Sequence, residues 1–176
     1  MPKLTQPINK DDHIQGPANA RITLVEYGDF QCPYCGMAYP IIKNIQAEFG
    51  KKLRFVFRHF PLPDAHPMAL PAAIASEAAA RQQRFWEMHD MIYERQSALS
   101  SYAFAEFATE LDLNITQFKM DLQDEILAEI VESHFESGIR SGVNGTPSFY
   151  INGYKYNGSN DYDSLYIAIE ESMQLA

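Results

Sequence analysis

The chain holds two cysteines, Cys32 and Cys35, at the spacing C-x-x-C within the segment DFQCPYCG. A disulfide across so short a loop stabilises a fold by only about 2 kcal/mol, so a purely structural role explains the pair poorly. The spacing suits two chemistries: a dithiol that cycles with a disulfide, or half of a metal site. Because a structural zinc needs four ligands and no second cysteine pair exists, we favour the redox chemistry, which requires no cofactor and no metal.

The residues around this pair predict a strand that leads into a helix. Residues 22–28 form a β-branched and aromatic run that ends at a glycine, which is typical of a strand. Apolar residues then recur at steps of three and four from 38 to 49, which predicts an amphipathic helix, and Gly50 supplies a left-handed stop. Proline suits the first helical position, as at Pro33, whereas Pro40 inside the helix predicts a kink.

Cys32 therefore falls where the predicted strand ends and the helix begins. The unpaired N–H groups and the dipole of a first helical turn favour an anion, so we expect the pKa of the Cys32 thiol to lie below its ordinary value of about 8.5. Cys35, one turn further, should be more buried and keep a higher pKa. This difference indicates that Cys32 attacks a disulfide and that Cys35 resolves the mixed disulfide.

Glu26 is a carboxylate inside the apolar strand, between Val25 and Tyr27. A carboxyl group buried in such a run has a raised pKa, because burial disfavours its charged form. From the sequence two interpretations are open: Glu26 accepts the proton of Cys35, or it points to the solvent side of the strand.

The rest of the chain predicts an α/β fold in the order β-α-β, a helical block, then β-β-α. Residues 53–60 read as a second strand of a βαβ unit, and residues 61–142 read as helical. The turn Asn152-Gly153 between two aromatic runs predicts a hairpin, and a last helix covers about 161–173.

These elements predict a lead-in, 1–20, and one domain made of two halves, 21–62 and 142–176. An all-helical insertion, 63–141, separates the halves. We expect the lead-in to be loose, because its polar residues follow no period. Within the insertion we expect one long helix from about 116 to 141, whose apolar positions are Ile126, Ile130 and Ile139.

Thr146-Pro147 directly precedes the predicted strand of the hairpin. Proline is confined to the first residue of a strand or to an edge, which fits this position. Only about 5% of X-Pro bonds in folded proteins are cis, so the residues alone favour a trans bond.

Charge and hydropathy exclude two classes of partner. Lys and Arg number 14 against 23 Asp and Glu, which gives a formal net charge of -9 and argues against nucleic-acid binding. No stretch approaches the roughly 20 apolar residues of a membrane span. Residues 1–10 lack the apolar centre of a secretory signal, so the chain as written is expected to be cytoplasmic, or extracytoplasmic if a signal has been removed.

Five segments, in order along the chain, together resemble the DsbA-like branch of the thioredoxin-fold disulfide oxidoreductases. They are GPANARITLVEYGDFQCPYC (16–35), FRHFPL (57–62), HPMAL (66–70), FWEMHD (85–90) and GTPSFYINGYKYNG (145–158). The resemblance implies an enzyme with a thioredoxin fold and a helical domain inserted between its two halves.

The resemblance also implies roles for single residues. Cys32 would be the exposed nucleophile, Cys35 the resolving thiol and Glu26 the buried acid. Pro147 would be cis and packed against the disulfide, and Thr146 would present backbone groups to a bound peptide. The substrate-binding surface would also include Pro33 and Tyr34.

One departure from the family concerns Tyr34, because the strong oxidants carry histidine there. Without a cation at that position, Cys32 should be less acidic and the disulfide less oxidising. C-P-Y-C also occurs in glutaredoxins, so a glutathione-dependent reductase is an alternative, and a metal-binding protein with Cys32 and Cys35 as ligands is another.

We expect protein or peptide thiols and disulfides as substrates. Glutathione, the thioredoxin system or a membrane oxidase would serve as the redox partner. The sequence leaves the direction of electron transfer open.

Overall fold

The computed structural model describes residues 2–175 of the chain. Within this range five strands form one mixed sheet in the order β1-β3-β2-β4-β5. The strands are β1 (His13–Gln15), β2 (Ile22–Gly28), β3 (Leu53–His59), β4 (Ser148–Ile151) and β5 (Tyr154–Lys155). The α-helices are α1 (Pro33–Phe49), α2 (Ala69–Ala80), α3 (Phe85–Glu94), α4 (Ala103–Glu110), α5 (Ile115–Asp121), α6 (Glu125–Ser141) and α7 (Tyr162–Leu175), with short 3-10 turns at Gly50–Lys52 and Gln96–Ala98.

The order of these elements confirms the predicted fold class. β2, α1 and β3 form the first half, α2 to α6 the helical block, and β4, β5 and α7 the second half. β2 pairs antiparallel with β4, which pairs antiparallel with β5. The connecting turn has positive φ at Asn152 (48°) and Gly153 (84°), as a two-residue hairpin with the right-handed strand twist requires.

The segment 1–20 is not the loose lead-in that we expected, because it contributes β1, which pairs antiparallel with β3. The buried side chain of Arg58 explains this order. Its guanidinium donates to both carboxylate oxygens of Asp12, at 2.8 and 2.9 Å, and to two backbone carbonyls of the segment, each at 3.0 Å. A buried charge needs such partners, so the polar residues fix the segment without any hydrophobic period.

The single helix expected from 116 to 141 is divided in two by the structure, as α5 and α6. At the break, the Asp124 carboxylate accepts the backbone N–H of Ile126 at 3.0 Å. Aspartate side chains that bond nearby backbone groups compete with a continuous helix and favour helix starts, which explains the break.

The buried face of α6 also differs from the expected one. Ile126 and Ile139 are 55% and 54% exposed, whereas Leu127 and Val131 are buried. The inner face ends in serines rather than apolar residues, and Ser137 is one of these buried serines. Because the inner face includes polar residues, the hydrophobic pattern of the sequence did not indicate which face of α6 is buried.

Contacts divide the chain into two compact units. Unit 1 runs to Gly28, includes Met37–Arg58 and resumes at Glu136. Unit 2 consists of Asp29–Gly36 and His59–Phe135. The residues that carry both cysteines thus belong to the same unit as α2 to α5.

Candidate active site

The two cysteines lie in the segment Asp29–Gly36, called here the redox turn, which connects β2 to the first turn of α1. Cys35 is fully buried and Cys32 is only 4% exposed. Cys32 is thus the more accessible of the two, but the expectation of an exposed Cys32 is wrong.

Asp29 orders the redox turn through its own backbone and side chain. Its carboxylate Oδ1 accepts the backbone N–H groups of Gln31, at 2.8 Å, and of Cys32, at 3.1 Å. Its own N–H donates to the Sγ of Cys35 at 3.5 Å. An aspartate that accepts N–H groups two and three residues ahead forms a local turn that favours a helix start.

The second carboxylate oxygen of Asp29 faces another part of the same unit. Its Oδ2 lies 2.7 Å from Nδ1 of His66 and accepts the backbone N–H of Leu62 at 3.0 Å. Asp29 is only 1% exposed, and a buried carboxylate is costly unless its oxygens are hydrogen-bonded. The four contacts satisfy this requirement and join the redox turn to the segment after β3.

Glu26 lies in β2 opposite Phe149 of β4, and it is only 3% exposed. The interpretation in which it points to solvent is therefore wrong. A carboxyl group at this place in the sheet is sheltered from bulk water.

Thr146 and Pro147 directly precede β4, and the peptide bond between them is cis. Both residues are half-buried. Tyr27 of β2 pairs with Ser148 of β4, so the Thr146–Pro147 bond directly precedes the strand that pairs with the Glu26 strand in unit 1.

The candidate residues thus form two groups. Cys32, Pro33, Tyr34 and Cys35 belong to the redox turn of unit 2, whereas Glu26, Thr146 and Pro147 belong to unit 1. Pro33 is exposed, and Tyr34 is 70% exposed. Both are therefore accessible to solvent.

The model of the family described as Thioredoxin matches residues 8–171. The chain belongs to the thioredoxin family. The site described above holds a cysteine pair at the start of a helix.

Solved structures of the DsbA-like branch share the fold of this thioredoxin-family chain. Oxidised BdbD from Bacillus subtilis is 24% identical, with a TM-score of 0.86 and coverage of 98% of both chains. α-DsbA1 from Wolbachia pipientis is 19% identical, with a TM-score of 0.85 over 98% of this chain and 95% of that one. The catalytic domain of ScsC from Proteus mirabilis is 22% identical, with a TM-score of 0.77 over 93% and 89%.

The curated relatives by sequence carry a different name. A segment of the Na⁺/H⁺ antiporter NhaA 1 of Salinispora arenicola is 41% identical over 167 residues, 94% of this chain and 26% of the antiporter. The NhaA antiporter of Herminiimonas arsenicoxydans is 40% identical over 170 residues, 96% of this chain and 27% of the antiporter. The chain therefore spans about a quarter of the length of these relatives. Among the helices described between residues 2 and 175, none has the length and apolarity needed to cross a bilayer.

Two residues of this thioredoxin-family site escaped the sequence analysis. Asp29 stands three residues before Cys32, and an aspartate at that offset from a helix start is a recognisable turn signal. Gln96 donates hydrogen bonds to the redox turn from 64 residues away, and no sequence pattern indicates such a contact.

Proposed function

We propose that the protein exchanges disulfides with cysteines of protein or peptide substrates through a mixed disulfide on Cys32. The observation that carries the proposal is the position of the cysteine pair at the first turn of α1, with the Asp29 N–H directed at the Cys35 sulfur. Membership in the thioredoxin family supports the same chemistry.

The reaction needs no group beyond the sulfurs and a proton acceptor. In the reducing direction, the Cys32 thiolate attacks one substrate sulfur, the substrate S–S bond breaks, and the other substrate sulfur leaves as a thiolate. Cys35 then loses its proton and attacks the Cys32 sulfur, so the Cys32–Cys35 bond forms and the second substrate sulfur leaves. The substrate gains two electrons and the cysteine pair loses them, and substrate oxidation is the same sequence reversed.

Each step has a supporting feature in the structure. Cys32 precedes a helix of 17 residues, whose N-terminal dipole favours the thiolate. Cys35 is fully buried, so its deprotonation requires an acceptor that is also sheltered from water, and the burial of Glu26 supports assigning that role to it. The exposure of Pro33 and Tyr34 supports their contact with an extended substrate chain, and we assign Thr146 and Pro147 of unit 1 to substrate binding as well.

Substitution of the cysteines tests the proposal. Cys32→Ala should abolish reduction of a disulfide-bonded test peptide, because no nucleophile remains. Cys35→Ala should still attack and accumulate a mixed disulfide, which mass spectrometry detects. Glu26→Gln should slow only the second step, by about 10²-fold, because general acid–base catalysis contributes at least that much.

A matched control is Tyr102→Phe, because Tyr102 is 81% exposed and lies in unit 2. This variant should exchange disulfides like the unaltered protein. Exchange that persists in Cys32→Ala would refute the mixed-disulfide mechanism.

Because C-P-Y-C also occurs in glutaredoxins, a glutathione-dependent reductase is an alternative function. For a chain that stays in the cytoplasm, where thiol pools are reduced, we propose the reducing direction. The equilibrium constant of the cysteine pair against glutathione tests both points, since about 30 mV of potential difference corresponds to about 1.4 kcal/mol. Rapid and selective reduction by glutathione alone would indicate the glutaredoxin-like function.

Metal binding is the alternative of a different class. Within the part of the chain that the structure describes, neither cysteine belongs to a cluster of three or more side chains placed to share a metal ion. Elemental analysis of the reduced protein tests this alternative, because stoichiometric metal that is lost in Cys35→Ser would favour it.

A further inference from the structure

Gln96, in the 3-10 turn after α3, donates two hydrogen bonds to the redox turn. Its side-chain Nε2 lies 2.9 Å from the carbonyl oxygen of Phe30 and 2.8 Å from that of Cys32. Phe30 and Cys32 are only 1% and 4% exposed, so water does not readily replace these donors.

The carbonyl of Cys32 has a second donor in the first turn of α1. The backbone N–H of Gly36 lies 3.1 Å from the same oxygen. A carbonyl oxygen has two acceptor positions, so the N–H of the helix and the amide of Gln96 together define its orientation. The amide also packs so closely against Gly36 that a Cβ added there would overlap it.

The contact by Gln96 belongs to a continuous series along the redox turn. Asp29 accepts the N–H of Leu62, and Gln31 Oε1 accepts the N–H of Met68 at 2.6 Å. With the carbonyls of Phe30 and Cys32, four consecutive residues of the turn are hydrogen-bonded to the 59–135 part of unit 2. The 59–135 part of unit 2 therefore holds the segment that carries Cys32.

From these contacts we propose that Gln96 is a positioning residue for disulfide exchange at Cys32, an inference that rests on the proposed function. Loss of the amide removes a donor from the buried carbonyls of Phe30 and Cys32. Because buried polar groups need hydrogen-bond partners, we expect the redox turn to shift so that water can reach these carbonyls. Exchange needs the attacking, central and leaving sulfurs in line, and a displacement of about 1 Å can reduce a rate about 10²-fold.

The test compares variants that remove a side-chain amide at two places in unit 2. Gln96→Ala should slow both attack on a disulfide-bonded peptide and release of the second thiol by about 10- to 100-fold. Gln96→Glu should do the same, because a carboxylate cannot donate to the carbonyls. Gly36→Ala should also slow exchange, because the added Cβ displaces the amide.

Gln82→Ala is the matched control. Gln82 also joins two segments of unit 2, away from the redox turn. Its side-chain Nε2 donates to the carbonyl of Asn114 at 3.2 Å, and its Oε1 accepts the backbone N–H of Asn114 at 2.8 Å. This variant should exchange disulfides within twofold of the unaltered protein. Equal slowing in Gln82→Ala and Gln96→Ala would overturn the proposal, because it would indicate general loosening.

A second measurement does not depend on activity. Hydrogen exchange of the Gly36 amide should be at least about tenfold faster in Gln96→Ala, because its acceptor carbonyl is no longer held, and unchanged in Gln82→Ala. An unchanged Gly36 amide in Gln96→Ala would overturn the positioning role. An unaltered protein that fails to exchange disulfides would instead refute the proposed function, and the Gly36 amide would still decide whether Gln96 positions the turn.

Discussion

The buried carboxylate of Asp29 connects the redox turn to the segment after β3. One of its oxygens accepts N–H groups of the redox turn, and the other accepts the N–H of Leu62 and contacts His66. The backbone N–H of the same residue contacts the Cys35 sulfur. Side chain and backbone of this one residue thus contact both the redox turn and the segment after β3.

Asp29→Ala should lower the free energy of unfolding by about 2–3 kcal/mol, because buried donors lose their acceptor. Denaturant titration measures this change. Asp64→Ala is a matched control, since Asp64 is exposed in the same segment, and it should unfold like the unaltered protein. A loss of the same size in both variants would contradict the role assigned to the Asp29 carboxylate.

At the scale of elements, α6 is fixed by serines as much as by apolar residues. The hydroxyl groups of Tyr27 and Ser137 lie 2.8 Å apart, and the hydroxyl of Tyr150 donates to the carbonyl of Ser141 at 2.9 Å. Burial, together with neighbouring Tyr27, raises the pKa of Tyr150 to about 12. These hydrogen bonds join β2 and β4 to the last turns of α6 within unit 1.

Helix α7 begins with a cap whose strength depends on pH. Hydrogen bonds from Ser159 and Ser164 lower the pKa of the Asp161 carboxyl from 3.8 to about 2. Because the folded-state pKa is depressed, the stabilisation is present above about pH 4 and is lost as the pH falls through about 2.

Asp161→Asn should remove this part of the pH dependence while it keeps a capping side chain. The unfolding temperature, measured at pH 5 and at pH 2.5, should therefore fall less in the variant than in the unaltered protein. Asp163→Asn, in the first turn of the same helix, is the control and should retain the dependence. The same fall with pH in Asp161→Asn and in the unaltered protein would argue against the cap.

At the scale of the whole molecule, a buried ion pair ties the N-terminal segment to the sheet. The side chains of Arg58 and Asp12 are 0% and 2% exposed, and their closest atoms are 2.8 Å apart. Burial by itself would lower the pKa of Arg58. The hydrogen bond with Asp12 opposes this effect and helps to raise the pKa above its ordinary value. The segment is thereby part of the folded unit rather than an appendage.

Arg58→Met should lower the free energy of unfolding by about 3–5 kcal/mol, because Asp12 is left buried without its cation. Adding Asp12→Asn should recover part of this loss in denaturant titrations. The exposed pair of Arg95 and Glu110 offers a comparison, and Arg95→Ala should change stability far less. A similar effect at both pairs would contradict the importance of burial.

The local pattern of the sequence was sufficient for the order of the elements, the hairpin turn and the position of the cysteine pair, since each depends on residues close along the chain. The strand β1, the inner face of α6 and the burial of Cys32 depend on partners far away in sequence, so their local patterns indicated the wrong structure or none.

The sequence by itself therefore determined the chemistry available to this protein: two thiols at a strand-to-helix junction within a thioredoxin-type order of elements. Only the tertiary structure decided what holds those thiols, because the Asp29, His66 and Gln96 contacts join segments that periodicity and spacing treat as unrelated. A hydrogen bond depends on distance in space, and 64 residues separate Gln96 from the Cys32 carbonyl that it binds.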